Sequence, residues 1–185
     1  MTDLIILGGR NLTQQSWIRE VETAFSPYFA ATHVLDYEHW KQGTVEEDVP
    51  REAENLVTLI NSLGTEREYA IFGKSMGMLV TADAIKQGRI HPRFCVFAAT
   101  PIKYPLSHED NGMRRIESLF QDYETPTLFI QNPDEKYMKP RELEETLKGF
   151  GARNFQVVEG TGGVHSYAAW SLVGLVREYI LRKVR

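Results

Sequence analysis

The ten residues Ile71–Val80, IFGKSMGMLV, decide how the chain is read, because they hold two incompatible signatures. Gly73-Lys74-Ser75 matches the tail of a phosphate-binding loop, whereas Gly73-Lys74-Ser75-Met76-Gly77 matches a sharp strand-to-helix turn that presents a serine. A phosphate loop also needs a glycine ahead of the four residues that precede Gly73, and that position is Glu68. The intervening Tyr69–Phe72, YAIF, would then have to be both loop and feeding strand, with a carboxylate where phosphate charge is to sit. The phosphate reading fails on mechanism as well as on pattern, and a nucleotide-binding enzyme falls with it.

The serine turn fits its surroundings. Tyr69–Phe72 reads as a strand, and Met76, Leu79, Val80 and Ala84 mark one face of a helix. The serine of such an elbow holds a strained backbone, and a side chain at either flanking position would strike the neighbouring strand or helix, so Gly73 and Gly77 have a steric task. The bland alternative is a serine that caps the helix beside two packing glycines.

Working outward, short apolar runs alternate with helix-patterned segments, the signal of a parallel sheet covered on both faces. Strands are predicted at Leu4–Leu7, Thr32–Leu35, Tyr69–Phe72, Phe94–Ala98, Thr127–Ile130 and Phe155–Val158. Helices are predicted at Gln14–Phe25, Arg51–Leu63, Ser75–Gln87, Met113–Asp122, Pro140–Phe150 and Ser166–Arg182, with Gly64, Gly88 and Gly151 just past three helix ends. The fold class is therefore α/β: a single-domain, doubly wound, mostly parallel six-stranded sheet. Thr100–Gly112, TPIKYPLSHEDNG, has little periodicity and is either a small lid over the carboxyl ends of the strands or a plain surface loop.

Composition narrows the function classes. With 185 residues, 42% of them apolar and 25% charged, the chain has the makeup of an ordinary globular domain. A net charge of -4 and scattered Lys and Arg argue against nucleic-acid binding. MTDLIILGGR is too weakly apolar for a signal peptide, no run has the length of a membrane span, and the lone Cys95 permits neither an intrachain disulfide nor a thiolate metal cluster. A cytoplasmic protein without metal or cofactor is expected, with a homodimer left open.

A serine hydroxyl needs a base, and the base an orienting carboxylate; in this architecture they follow in the order Ser, acid, His. His33, His39, His91 and His108 fall too early in the chain, which leaves His165, in the glycine-rich GTGGVHSYA after the last strand. There it would open the final helix, whose terminus disfavours a charged imidazole; a histidine merely packing at a helix start is the alternative. Asp134 in QNPDEKY follows the fifth strand at the same sheet edge, with Glu135 its nearest rival, Asp36 and Asp122 weaker, and a plain turn role for Asp134 the alternative. For the oxyanion, one amide comes from Met76 after the nucleophile, and a second from the LGGRN loop after the first strand, where Arg10 or Asn11 would donate. The glycine pair there lacks the third glycine of a dinucleotide fingerprint.

LIILGGRN, GKSMG, NPDEKY and GGVHSY, in this order and strand context, resemble the alpha/beta-hydrolase superfamily over nearly the whole chain. The resemblance implies Ser75 as nucleophile, Asp134 as acid, His165 as base, and Met76 and Arg10 as oxyanion donors. It also implies a minimal member lacking the first strands and any large cap, with Gly8 where many members carry histidine. The activity implied is hydrolysis of a small ester, thioester or activated amide; the alternative is a non-catalytic binding or scaffold domain on the same fold. Asn11, Lys74 and Tyr104 are the candidate substrate-contacting residues. Lys74, Arg10 and Lys103 would favour an anionic substrate, against the ordinary reading of each as a solvated surface charge. Tyr104, Trp40 and Trp170 would line an apolar pocket unless they serve as packing.

Overall fold

In the computed structural model of the chain, residues 2–44, 48–64, 67–102 and 111–183 are described, the side chains of 111–115 excepted. Six strands form one sheet in the order β2-β1-β3-β4-β5-β6, and every pairing is parallel. They are β1 (Asp3–Leu7), β2 (Thr32–Val34), β3 (Tyr69–Lys74), β4 (Cys95–Ala98), β5 (Thr127–Gln131) and β6 (Phe155–Glu159). The inner strands β1, β4 and β5 are buried at every residue, as strands covered on both faces must be, while the edge strands β2 and β6 are only partly covered.

The principal helices are α1 (Gln14–Phe25), a four-residue α2 (Glu38–Lys41), α3 (Val49–Ser62), α4 (Met76–Lys86), α5 (Asn111–Phe120), α6 (Pro140–Gly149) and α7 (Ala169–Lys183). Packing joins α1 to α7, and α4 to both α3 and α5. Buried side chains from strands and helices form a continuous cluster, in which Phe97 and Phe129 meet edge to face on neighbouring strands.

Boundaries moved where local chemistry was stronger than periodicity. Helix α3 starts at Val49 rather than Arg51, because Pro50 suits a first turn and the Asp48 carboxylate accepts the Arg51 amide at 3.1 Å. Helix α7 starts at Ala169 rather than Ser166, because the chain up to Ser166 is held in a loop by Asn132. Gly64, Gly88 and Gly151 take the left-handed conformation their positions require. Most of the segment read as a lid, including Lys103 and Tyr104, lies outside the described residues.

From β1 the chain turns one way to β2 and then back past β1 to β3, so the winding reverses between β1 and β3. Their carboxyl ends deliver Gly9–Asn11 and Lys74–Ser75 to one crevice, the place where an open α/β sheet offers a site. Among the described residues, no helix is long and apolar enough to cross a membrane.

Candidate active site

Ser75 sits between the last residue of β3 and the first of α4 with φ 53 and ψ -110, a region that L residues enter only under constraint. The constraint is visible on both sides. The Ser75 amide donates to the Ala98 carbonyl at 2.9 Å, and the Gly77 amide donates to the Gly8 carbonyl at 3.1 Å. A Cβ on Gly73 would lie 2.9 Å from the Gly77 backbone, and one on Gly77 would lie 2.6 Å from the Leu7 carbonyl oxygen. Helix and strand thus approach closely enough to demand both glycines, and the turn throws the serine side chain clear of the sheet. Among the first amides of α4, that of Gly77 is taken by Gly8; that of Met76, the first helical residue, has no acceptor in its own helix.

His165 meets this serine. Its Nε2 accepts from the Ser75 hydroxyl at 3.3 Å, and its Nδ1 lies 2.9 Å from Glu135 Oε1. The carboxylate on the histidine is therefore Glu135, and the expectation of Asp134 is corrected. The cause is a turn in which the Glu135 amide donates to the Asn132 carbonyl at 3.1 Å, with Pro133 and Asp134 at its corners. The reversal leaves Asp134 exposed and drives Glu135 into the interior, where it is 3% exposed. Burial alone would raise the Glu135 pKa, but hydrogen bonds from His165, Tyr167 and the Lys136 amide outweigh it and hold the carboxyl below its ordinary value. A carboxylate fixed on Nδ1 sets the imidazole tautomer that leaves Nε2 free to take a proton.

Two positioning devices carried no recognisable sequence signal. Asn132 is fully buried, and its Nδ2 donates to the Gly163 and Ser166 carbonyls at 2.7 and 2.8 Å, which ties the histidine loop to the end of β5. A Cβ on Gly160 would collide with Asn132 Oδ1, so the glycine that reads as mere loop flexibility is a packing requirement. Because that loop precedes α7, His165 is in a turn with φ 51 and not at the helix terminus expected to keep it neutral. The second device clamps the loop after β1. Tyr37 Oη donates to the Gly8 carbonyl at 2.9 Å, while Trp40 Nε1 donates to the Arg10 carbonyl at 2.8 Å and His39 Nε2 lies at the same distance from it.

Gly9, Arg10, Ser75, Met76 and His165 face a cavity of about 170 Å³, which Asn11 and Lys74 also line. Lys74 is not the solvated charge its residue type suggests: it is 5% exposed, with Nζ donating to Gln14 Oε1 at 3.0 Å and lying 4.7 Å from the centre of the Trp17 ring. The aromatic lining expected from Trp40 and Trp170 is absent among the described residues. Trp40 is buried behind the loop it clamps, and Trp170 is 68% exposed on α7. Tyr104 lies outside the described residues.

No family model matches the chain, and no curated protein matches it in sequence. Solved structures match over its full length. Est1E from Butyrivibrio proteoclasticus, solved with ferulic acid bound, superposes with a TM-score of 0.77 at 16% identity, covering 100% of this chain and 90% of that one. Alpha/beta hydrolase domain-containing protein 10 from mouse gives a TM-score of 0.72 at 11% identity, with coverage of 100% and 90%. A cold-adapted esterase from an Arctic intertidal metagenomic library gives 0.67 at 14% identity, with coverage of 99% and 82%. The chain has the alpha/beta-hydrolase fold.

Proposed function

We propose that the protein is a serine hydrolase that cleaves a small ester, thioester or activated amide through an acyl-enzyme on Ser75. One observation carries this: a single imidazole bridges the strained Ser75 at 3.3 Å and the buried Glu135 carboxylate at 2.9 Å. A serine that only capped a helix would need neither partner, and Ser75 makes no side-chain capping bond to α4. Esterases among the structural neighbours favour the same reading.

In the first step His165 Nε2 takes the hydroxyl proton as Ser75 Oγ bonds to the scissile carbonyl carbon. The charge that develops on the carbonyl oxygen is met by the amides of Met76 and Arg10. Collapse of the tetrahedral species breaks the bond to the leaving group, which receives its proton from His165. A water then gives a proton to the same imidazole and attacks the acyl-enzyme, and the acid leaves as Ser75 regains its hydrogen. Glu135 keeps Nδ1–H in place throughout and stabilises the imidazolium without itself being protonated.

Steady-state hydrolysis of 4-nitrophenyl butyrate tests this. Ser75→Ala is expected to abolish turnover above background while melting within a few degrees of the wild type. Retained turnover in that variant would overturn the proposal.

A further inference from the structure

The wall of the cavity is charged in a way that the proposed chemistry leaves unused. Arg10, Lys74 and Lys136 line it and, among the described residues, no carboxylate does, although the whole chain carries a net charge of -4. Lys74 is the informative one, because a lysine at 5% exposure has lost most of its hydration and needs compensation from neighbours. Its ammonium has three protons to place. Gln14 Oε1 accepts one at 3.0 Å, the Trp17 and Tyr167 rings lie at 4.7 and 6.0 Å, and among the described residues no carboxylate reaches ion-pair distance. Burial draws its pKa down to about 8, and nearby Glu135 opposes that shift, so the ammonium form still prevails at neutral pH. Glu135 itself is committed to His165 and Tyr167. A cation has therefore been buried next to the nucleophile, at the edge of a cavity, with donors to spare.

We infer that the substrate carries a carboxylate a few bonds from its scissile carbonyl, and that Lys74 Nζ, held by Gln14 at the cavity wall, receives it. This rests on Ser75 being the nucleophile and names the class of ester that the site selects. A carboxylate so placed supplies the acceptor the ammonium lacks, and charge-assisted hydrogen bonds in a desolvated site discriminate strongly against a neutral isostere. At about 170 Å³ the cavity is below the usual range for drug-sized ligands, which points to a short chain between the two carbonyl groups.

Two ester pairs separate the positions that the carboxylate can take. 4-Nitrophenyl hemiglutarate against 4-nitrophenyl 5-oxohexanoate places charge or its neutral isostere in the acyl part; 4-carboxyphenyl butyrate against 4-acetylphenyl butyrate places it in the leaving group. The quantity read is the ratio of kcat/KM, charged over neutral, compared between wild type and Lys74→Met so that intrinsic ester reactivity cancels. In one pair this ratio is expected to fall by about tenfold or more in the variant, the size of a lost hydrogen bond to a charged group. An unchanged ratio in both pairs overturns the assignment. Should Lys74→Met fail to fold, the wild type decides: glutarate is expected to inhibit neutral-ester hydrolysis at least about tenfold more strongly than glutaramide, and equal inhibition overturns the inference. A wild type whose turnover depends on Ser75 but ignores charge removes the substrate class alone, whereas turnover that survives Ser75→Ala removes the serine-hydrolase proposal and this inference together.

Discussion

At the residue scale, Ser75 and Glu135 carry the account, one through its backbone and the other through its burial. With φ 53, Ser75 stores strain of about 1–3 kcal/mol that only glycine avoids. Ser75→Ala keeps that strain, while Ser75→Gly releases it against a chain-entropy cost of about 0.5–1 kcal/mol. The net gain of about 0–2.5 kcal/mol is expected to raise the melting temperature of the glycine variant by up to about 10 °C over the alanine variant in a calorimetric scan, and a glycine variant that melts clearly below the alanine variant would refute stored strain. Glu135→Gln keeps the shape of the side chain beside His165 Nδ1 but removes its charge, and under the proposed mechanism kcat is expected to fall by roughly 10³–10⁴. Asp134→Asn, at an exposed turn corner, is expected to leave kcat within about twofold of wild type, since surface changes remote from a site are near neutral. The meeting of Ser75 with His165 was legible in the sequence, because two glycines bracket the serine at a strand-to-helix junction and His165 is the one histidine after the last strand. The choice between adjacent Asp134 and Glu135 was not, because it depends on how one turn rotates after Asn132.

At the element scale, the site is built from the close approach of β1, β3 and α4 and from a loop pinned to β5. Gly77→Ala puts a methyl 2.6 Å from the Leu7 carbonyl oxygen and must push α4 away from β1. A loss of about 1–3 kcal/mol is expected in urea unfolding, together with a large loss of turnover, because the same shift moves Ser75 and the Met76 amide. Asn132→Ala removes two donors from the histidine loop, and kcat is expected to fall more than KM rises, since the loop holds His165 and lines no more than one side of the cavity. Helix α1 and all six strands were readable from periodicity to within one or two residues, since each has a strongly patterned or continuous apolar face. The four-residue α2 was not, being too short to show a period. Trp40 within it and Tyr37 just before it matter through the carbonyls of Arg10 and Gly8 that they hold, a role that no local pattern announces.

At the scale of the whole molecule, the two ends of the sheet have separate tasks. Opposite the site, at the amino end, Asp3 is buried beneath Arg67 and His33, whose side-chain nitrogens lie 2.9 and 3.1 Å from Oδ2. Burial pushes the Asp3 carboxyl up, but the hydrogen bonds from Arg67 and His33 outweigh it and hold the pKa below its ordinary value. A depressed carboxylate stabilises the fold above the unfolded-state pKa of about 4, and the contribution is lost as pH falls through the folded value. Asp3→Asn is thus expected to flatten the decline of melting temperature on acidification below about pH 4 while leaving kcat unaltered at neutral pH. An equally steep decline would place the acid-sensitive group elsewhere. The carboxyl end holds the site of the proposed reaction, in which His165 and Glu135 would activate Ser75. The most direct measurement is intact-mass analysis after exposure of wild type, Ser75→Ala and Glu135→Gln to a fluorophosphonate. A single adduct on the wild type, none on Ser75→Ala and markedly slower labelling of Glu135→Gln is the expected result. A folded wild type that takes no adduct, or an adduct that persists in Ser75→Ala, would contradict it.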